Sequence, residues 1–464
     1  MAPGPPVRAR NALAASRSPK LGSASVPTNP RRRRWLAAVA GLRIDVTPLR
    51  TSRDFRLLFS AGTVFYLGGM VTYVALPFQL YRLTGSNFAV GLMGVVELVP
   101  LLLFGLYGGA LADHVDRQRM LVVTGTAQVV LTGLLLGNSL LERPQIWLIY
   151  LVGALLSIAQ ALQRPSREAL IPRTVRHEEL PAAVALNSFG TQVGMLAGPT
   201  IGGILIATAG VPWAYGIDVL GLVIATILFS RMRSYPPGAD STPPSVAGIV
   251  DGVRYALRRR DLLGTYVVDM VAMFMAMPVV LFPALATEVF KRPELLGLLY
   301  TAETVGAMIA TATSGWASRV HHHGRAVVLA SMVYGASIVA MGLAATPWLA
   351  IAALAVAGAA DMISGLFRGI VWHQTIPDDK RGRLAGIEML SYSIGPLGGQ
   401  SRSGLVADAT SVRASIVSGG ALCVVGVALT AVWLRDFWRY DARTDEHAVR
   451  ERAVRAARDS TQAQ

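Results

Sequence analysis

Gly109-Ala110-Leu111-Ala112-Asp113-His114-Val115-Asp116-Arg117-Gln118-Arg119 is a short charged connection between two apolar runs. The run before it extends from about Val90 to Leu111, and the run after it from Met120 to about Leu140. Each is roughly 20 residues, the length a helix needs to cross the hydrocarbon core of a bilayer. A tight connection carrying Arg117 and Arg119 stays on the cytoplasmic side by the positive-inside rule. Gly109 stands near a helix end, where a bare Cα lets a second helix approach closely. Asp113 is suited to answer the positive end of a neighbouring helix. Taken alone, the stretch reads equally well as an ordinary basic loop between two spans.

The stretch recurs. Gly315-Trp316-Ala317-Ser318-Arg319-Val320-His321-His322-His323-Gly324-Arg325 keeps the Gly-to-Arg spacing and also follows an apolar run. The same offset pairs Pro77 with Pro283, Gly91 with Gly297, Glu97 with Glu303 and Arg119 with Arg325. Ile171-Pro172 and Ile376-Pro377 pair at an offset one residue shorter. This is the pattern of a tandem duplication in which each half supplies the same set of spans.

The Gly109–Arg119 stretch resembles the loop signature of the major facilitator superfamily: Gly, three residues, Asp, then basic residues between the second and third spans. The sequence departs from it at His114, where the family has Arg or Lys, and at Asp116, where it has Gly. In the second copy Arg319 takes the place of the Asp. Gln163–Pro172, with Leu180-Pro181-Ala182-Ala183 and Asn187-Ser188, is similar to the branch holding enterobactin (siderophore) exporters and macrolide or multidrug efflux proteins. Gly194, Gly198-Pro199 and Gly202-Gly203 resemble the Gly-Pro signature of antiporter members, although small-residue faces are common in membrane bundles. The resemblance spans roughly Thr51 to Leu434. It implies an all-α membrane protein with twelve transmembrane helices in two pseudo-symmetric six-helix bundles around a central cavity, working by alternating access.

Composition agrees with a polytopic membrane protein. Hydrophobic residues make up 53% of the 464 residues and charged residues 15%, against about 25% charged in a soluble domain. The net charge of +15 sits mostly in short loops and tails on one side, so it sets topology and does not signal nucleic acid. Cys423 is a single cysteine in an apolar run and has no intrachain partner.

In chain order, residues 1–51 are rich in Pro, Ala, Ser and Arg and read as a disordered cytoplasmic tail. Its Arg31–Arg34 run is not followed by a cleavage site of the secretory kind. Twelve spans are expected at 55–81, 89–111, 120–140, 145–167, 182–208, 212–231, 261–287, 294–317, 325–344, 347–371, 384–408 and 412–434. Residues 52–233 make the first six-helix bundle and 261–435 the second. The linker 234–260 holds an amphipathic basic stretch, Ser245 to Arg260, suited to a membrane interface or to a simple tether. Residues 436–464 read as a solvated, frayed helical tail. Basic connections alternate with short neutral ones such as Thr84-Gly85-Ser86-Asn87 and Ala209-Gly210-Val211-Pro212. Both termini are therefore expected to be cytoplasmic, in a plasma (inner) membrane protein that works as a monomer.

Ionisable groups inside spans are costly and point to function. Glu97, Asp269, Glu303 and Asp361 are the candidates for proton coupling; Asp269, Glu303 and Asp361 lie near mid-depth, and Glu97 and Asp218 nearer the outer side. Each reads equally as a packing carboxyl paired with a hydroxyl, an amide or the backbone. Gly109, Asp113, Arg117, Arg119, Arg164 and Arg167 are the candidate gating set, with Asp113 expected to pair with Arg164 or Arg167 or to cap the eleventh span. Tyr73, Gln79 and Gln160 are candidate cavity residues. No phosphate-cradling loop is present, so the chain reads as neither an ATPase nor any other enzyme. His321-His322-His323 reads as loop rather than metal site, and no cofactor is expected. The expected function is secondary transport of a small molecule, with proton-driven efflux of a siderophore or drug-like compound foremost. Import, or a non-transporting receptor or scaffold on the same fold, are the alternatives.

Overall fold

The computed structural model describes residues 45–236, 254–255 and 258–462, with side chains outside 105–114, 378–383, 385–390, 455–456 and 458–462. The tail expected over 1–51 and the amphipathic linker stretch therefore lie largely outside the described residues. The last turn of that tail, Thr47–Thr51, is helical.

Twelve long helices follow among the described residues. The first half holds α1 (Arg53–Thr84), α2 (Asn87–His114), α3 (Arg117–Ser139), α4 (Ile146–Thr174), α5 (Leu180–Thr208) and α6 (Val211–Ser230). The second half holds α7 (Arg260–Ala276), α8 (Leu296–Ala312), α9 (His323–Leu343), α10 (Pro347–Thr375), α11 (Asp378–Ala409) and α12 (Val412–Trp433). Eleven helical stretches among the described residues are long and apolar enough to cross a membrane. The 32-residue α11 packs on α2 and α7 and completes the set. The helices overrun the apolar runs by several residues on the basic face. Hydropathy reports the bilayer core, whereas the backbone ladder continues until a cap or a proline stops it.

The seventh span is broken where a single helix over 261–287 was expected. It runs helically to Ala276, adopts an extended conformation at Met277, and resumes through short 3-10, α and π turns from Val279 to Val289. Pro278 has no N–H to continue the ladder and pushes the residue before it out of helical geometry. The eighth span likewise stops as an α-helix at Ala312 and tightens to 3-10 over Ser314–Arg319.

Within the first half α1 packs on α5 and α6, and α3 on α4 and α6. Within the second, α10 packs on α8 and α9, and α12 on α7 and α9. Across the halves α2 meets α11 and α5 meets α8. Both crossings are made at glycines. A Cβ on Gly203 would stand 2.4 Å from the backbone N of Gly297, and one on Gly404 2.3 Å from the carbonyl O of Asn87. Gly91 and Gly297, matched by the duplication, thus each meet the opposite half through bare backbone.

The first part of the C-terminal segment is packed on the second half, whereas its helix is largely exposed beyond Ala448. Phe437 is fully buried, with its ring where a Cβ on Gly264 would stand, and Tyr440, Ala442 and Ala448 are buried on the same half. Arg260 reaches Asp436 at 3.2 Å across this contact.

Candidate functional site

A cavity of about 440 Å³ lies between the halves. Its wall comes from α1, α2, α3, α4 and α6 on one side, and from the broken seventh span and α11 on the other. The break around Pro278 is what brings Met277, Val279 and Val280 to the wall. Tyr73, Glu97 and Gln160 all line it. Gln79 does not: it is 4% exposed and accepts a hydrogen bond from Tyr215 Oη at 2.7 Å. Six residues, more than one and a half helical turns, separate Tyr73 from Gln79, and the second side chain points away from the lumen onto α6.

The second half carries a charge cluster beside this cavity. Asp269 on α7 is an ion-pair partner of Arg368 on α10 and accepts from Ser391 Oγ at 3.0 Å. Both members of the pair are almost wholly buried. Asp269 is therefore a paired group inside the second half, and it is not among the residues that line the cavity. Asp361 Oδ1 stands 3.8 Å from the same guanidinium, on a side chain that is 46% exposed. Glu303 on α8 has its Oε1 buried with no hydrogen-bond partner among the described residues. The backbone of Glu303 is pressed on Gly358 of α10, which fixes the α8–α10 crossing beside it.

Two acids emerge that the sequence left aside or assigned elsewhere. Asp218 on α6 lines the cavity, takes a short hydrogen bond from Thr72 Oγ1, and keeps Oδ1 buried without a hydrogen-bond partner among the described residues. Asp408, near the end of α11, accepts from the backbone N–H groups of Asn87 at 2.8 Å and Phe88 at 3.0 Å, and from Ser86 Oγ and Asn87 Nδ2. It thus caps the first turn of α2 from across the interface. Tyr81 Oη also donates to Glu288 across the halves, and Ser401 Oγ donates to the Gly91 carbonyl at 2.7 Å. All these bonds lie toward the neutral loops.

At the basic face the described bonds run within one half. Arg117 Nη1 donates to the Ala169 carbonyl at 3.2 Å, tying α3 to α4. The Arg119 amide donates to Asp116 Oδ1 at 3.0 Å. Arg164 pairs with Glu168 at 2.9 Å on the surface, and Arg167 stacks over the rings of Phe65 and Tyr66. Gly109 and Asp113 belong to α2, but the Asp113 side chain lies outside the described residues, so its expected pairing does too. His323 is buried against Phe367 and Tyr440, and His322 faces Asp441 at 3.6 Å.

Asp116, the departure from the loop signature, has a local role. It is the N-cap of α3 and accepts a short bond from Ser234 Oγ. Burial pushes its carboxyl up, but bonds from Ser234 and from backbone N–H groups outweigh this and hold it below the ordinary carboxylate range.

Comparison with known proteins adds sequence and fold relatives. The model of a family described as transmembrane secretion effector matches residues 45–461. The enterobactin exporter EntS of Shigella boydii serotype 18 is 28% identical over 391 residues, covering 84% of this chain and 94% of its own. EntS of Escherichia coli O1:K1 aligns with the same identity and coverage. Among solved structures, a POT family transporter in complex with 5-aminolevulinic acid superposes with a TM-score of 0.67 at 10% identity, covering 83% of this chain and 97% of its own. A bacterial homologue of the human lysosomal transporter Spinster, inward-facing and unoccupied, gives 0.63 at 14% identity, covering 83% and 95%. These likenesses concern the fold.

Proposed function

We propose that this chain, which belongs to the transmembrane secretion effector family of the major facilitator superfamily, exports a siderophore or drug-like small molecule by proton-coupled alternating access. The observation that carries the reading is the cavity shared by both halves, lined by Tyr73, Glu97 and Gln160, with cross-half bonds gathered toward one face. With the neutral loops outside and both termini cytoplasmic, the bonded face is the outer one. The conformation is then one in which the outer gate is shut. The activity named for the EntS relatives supports the export direction and the siderophore class.

In this reading Glu97 meets the substrate or the proton directly. Glu303 and Asp361 form the proton site of the second half, and Arg368 pairs with Asp269 beside them. A buried carboxylate without a cation is costly, and taking up a proton removes that cost. Protonation on the outer side and release on the inner side alternate the two closures, each favouring the state in which its group is satisfied. Gly109, Asp113, Arg117, Arg119, Arg164 and Arg167 make up the inner gate. The protein acts as a monomer in the plasma membrane.

The test is transport by the full chain in inside-out vesicles with an imposed proton gradient, scanned over siderophores and antibiotics. Uphill accumulation that collapses with a protonophore is expected. Accumulation indifferent to the gradient would remove the proton coupling, and the absence of any transported compound would favour a receptor.

A further inference from the structure

We infer that residues 434–442 form a strap over the inner end of the second half, and that its grip tightens when His322 takes up a proton. Its cytoplasmic placement rests on the orientation used in the export reading. After its sixth helix, each half folds a turn of chain back onto the start of its own third helix. In the first half the Arg117 N–H donates to the Tyr235 carbonyl at 3.2 Å, and Ser234 Oγ donates to Asp116. In the second half the Ala442 N–H donates to the His321 carbonyl at 3.0 Å, and His322 Nδ1 stands 3.6 Å from Asp441 Oδ2. Asp116 corresponds to His322, and Tyr235 to Asp441, at the same offset that pairs Glu97 with Glu303. The duplication thus built one clip twice and changed its chemistry. A carboxylate with a hydroxyl holds the first copy, and a histidine with a carboxylate the second.

The strap is seated mainly by contacts that carry no titratable group. Phe437 is buried, and a Cβ on Gly324 would stand 1.7 Å from its carbonyl O. Asp441 keeps its charge near neutrality. Arg443 donates to it from Nη2 and Nε and from its backbone N–H, which holds the carboxyl well below the ordinary carboxylate range. Histidine is the side chain that changes charge between about pH 5 and 8, so within this pair only His322 switches. The neighbouring charges are answered: Arg260 of α7 pairs with Asp436, Arg259 with Asp261, and Arg325 lies on the Trp438 ring. From the C-terminal helix Glu446–Gln462, Arg452 bonds the Ala442 carbonyl, and Asp445 accepts from the first turn. As N-cap of α9, a charged His322 opposes the positive end of that helix. The helix end and His321 are beside it whether the strap is down or lifted, so these costs cancel and the attraction to Asp441 remains. His323 works the other way. It is buried against Phe367 of α10 and Tyr440 of the strap, so a proton there favours lifting.

Hydrogen exchange on the purified full chain in detergent is the test. The protection of the segment around Ala442, taken relative to the intrinsic exchange rate at each pH, is followed between about pH 6 and 8. The pair stabilises the closed strap while His322 is charged and stops doing so as pH rises. Protection should therefore be highest at the acid end and fall about two- to fivefold toward the alkaline end, the range of a partly exposed ion pair. The matching segment around Ser234 should stay flat over the same interval. His322→Gln and Asp441→Asn should each flatten the Ala442 profile, and melting curves report whether the variants fold. Should one of them not fold, the other and the parent's own profile still decide. A flat profile in the parent overturns the inference. So does a slope that survives in a folded His322→Gln variant, or protection that rises with pH, which assigns the switch to His323. Exchange needs no transported compound, so a failure of the vesicle assay leaves this result standing, and a flat profile leaves the export reading untouched.

Discussion

Arg368 is 3% exposed, on a helix that elsewhere exposes apolar side chains such as Trp348, Leu349 and Val356, and it pairs with Asp269 while Asp361 stands farther off. Removing one member of a buried pair strands the other, at about 3–5 kcal/mol. Arg368→Ala should therefore lower the melting temperature of the detergent-solubilised protein sharply, and adding Asp269→Asn should restore part of the loss. Equal melting of single and double variants would deny the coupling. Glu303→Gln mimics the protonated form and should abolish uphill transport in the vesicle assay while leaving the melting temperature near the parent's. The acids were legible in the sequence because each interrupts an apolar run. Arg368 was not, because it stands three residues before the expected end of its span at 371, where an arginine reads as an interfacial anchor with its head in water. The helix in fact continues to Thr375 and turns the guanidinium inward. Gln79 shows the converse limit. Its polarity was visible, but the direction of its side chain depends on Tyr215, far along the chain.

At the level of elements, the α2–α11 contact explains an acid that looked misplaced. Asp408 sits at the C-terminal end of its own helix, where a negative charge opposes the helix dipole. It belongs electrically to the start of α2, whose first N–H groups it receives. Asp408→Ala should weaken outer closure by about 1–2 kcal/mol, the worth of a good cap. Alkylation of a cysteine placed at Gln400 should then proceed faster from the outside. Unchanged labelling would show that the glycine contacts close the face unaided. The expected spans resolved these helices well, because apolar length is local information. Which glycines would meet, and that Pro278 would open the seventh span toward the cavity, depends on pairing across the chain. Asp116 gives a pH expectation of known sign. Its folded-state carboxyl is held low, so its contribution is complete above the unfolded value, about 3.9, and is lost as pH falls through the lower folded value. The protection of amides around Ser234, taken relative to the intrinsic exchange rate at each pH, should be flat between about pH 8 and 5 and fall only below about 4.

For the whole molecule, the duplication is the most informative property of the sequence. It foretells two halves, and the structure adds that Gly91 and Gly297 perform the same task in each. Orientation follows from charge alternation and is checked by reporters. One fused after Arg260 should be cytoplasmic, and one inserted between Pro144 and Ile146 external. The opposite pattern would invert the assignment of gates. Substrate chemistry was the least legible property. The cavity wall draws on seven spans, and its charge balance exists only once they are assembled.

The Asp269–Arg368 pair carries one last consequence, an electrical one. Its two charges sum to zero, so the membrane voltage exerts no net force on it, however the second half turns. One uncompensated charge crossing the full field exchanges about 2.3 kcal/mol per 100 mV. Voltage then acts on the substrate and on carboxyls without such a partner, Glu97 and Glu303 among them. The slope of turnover against voltage counts the charges these groups move in one cycle, and neutralising Arg368 changes that count by at most one.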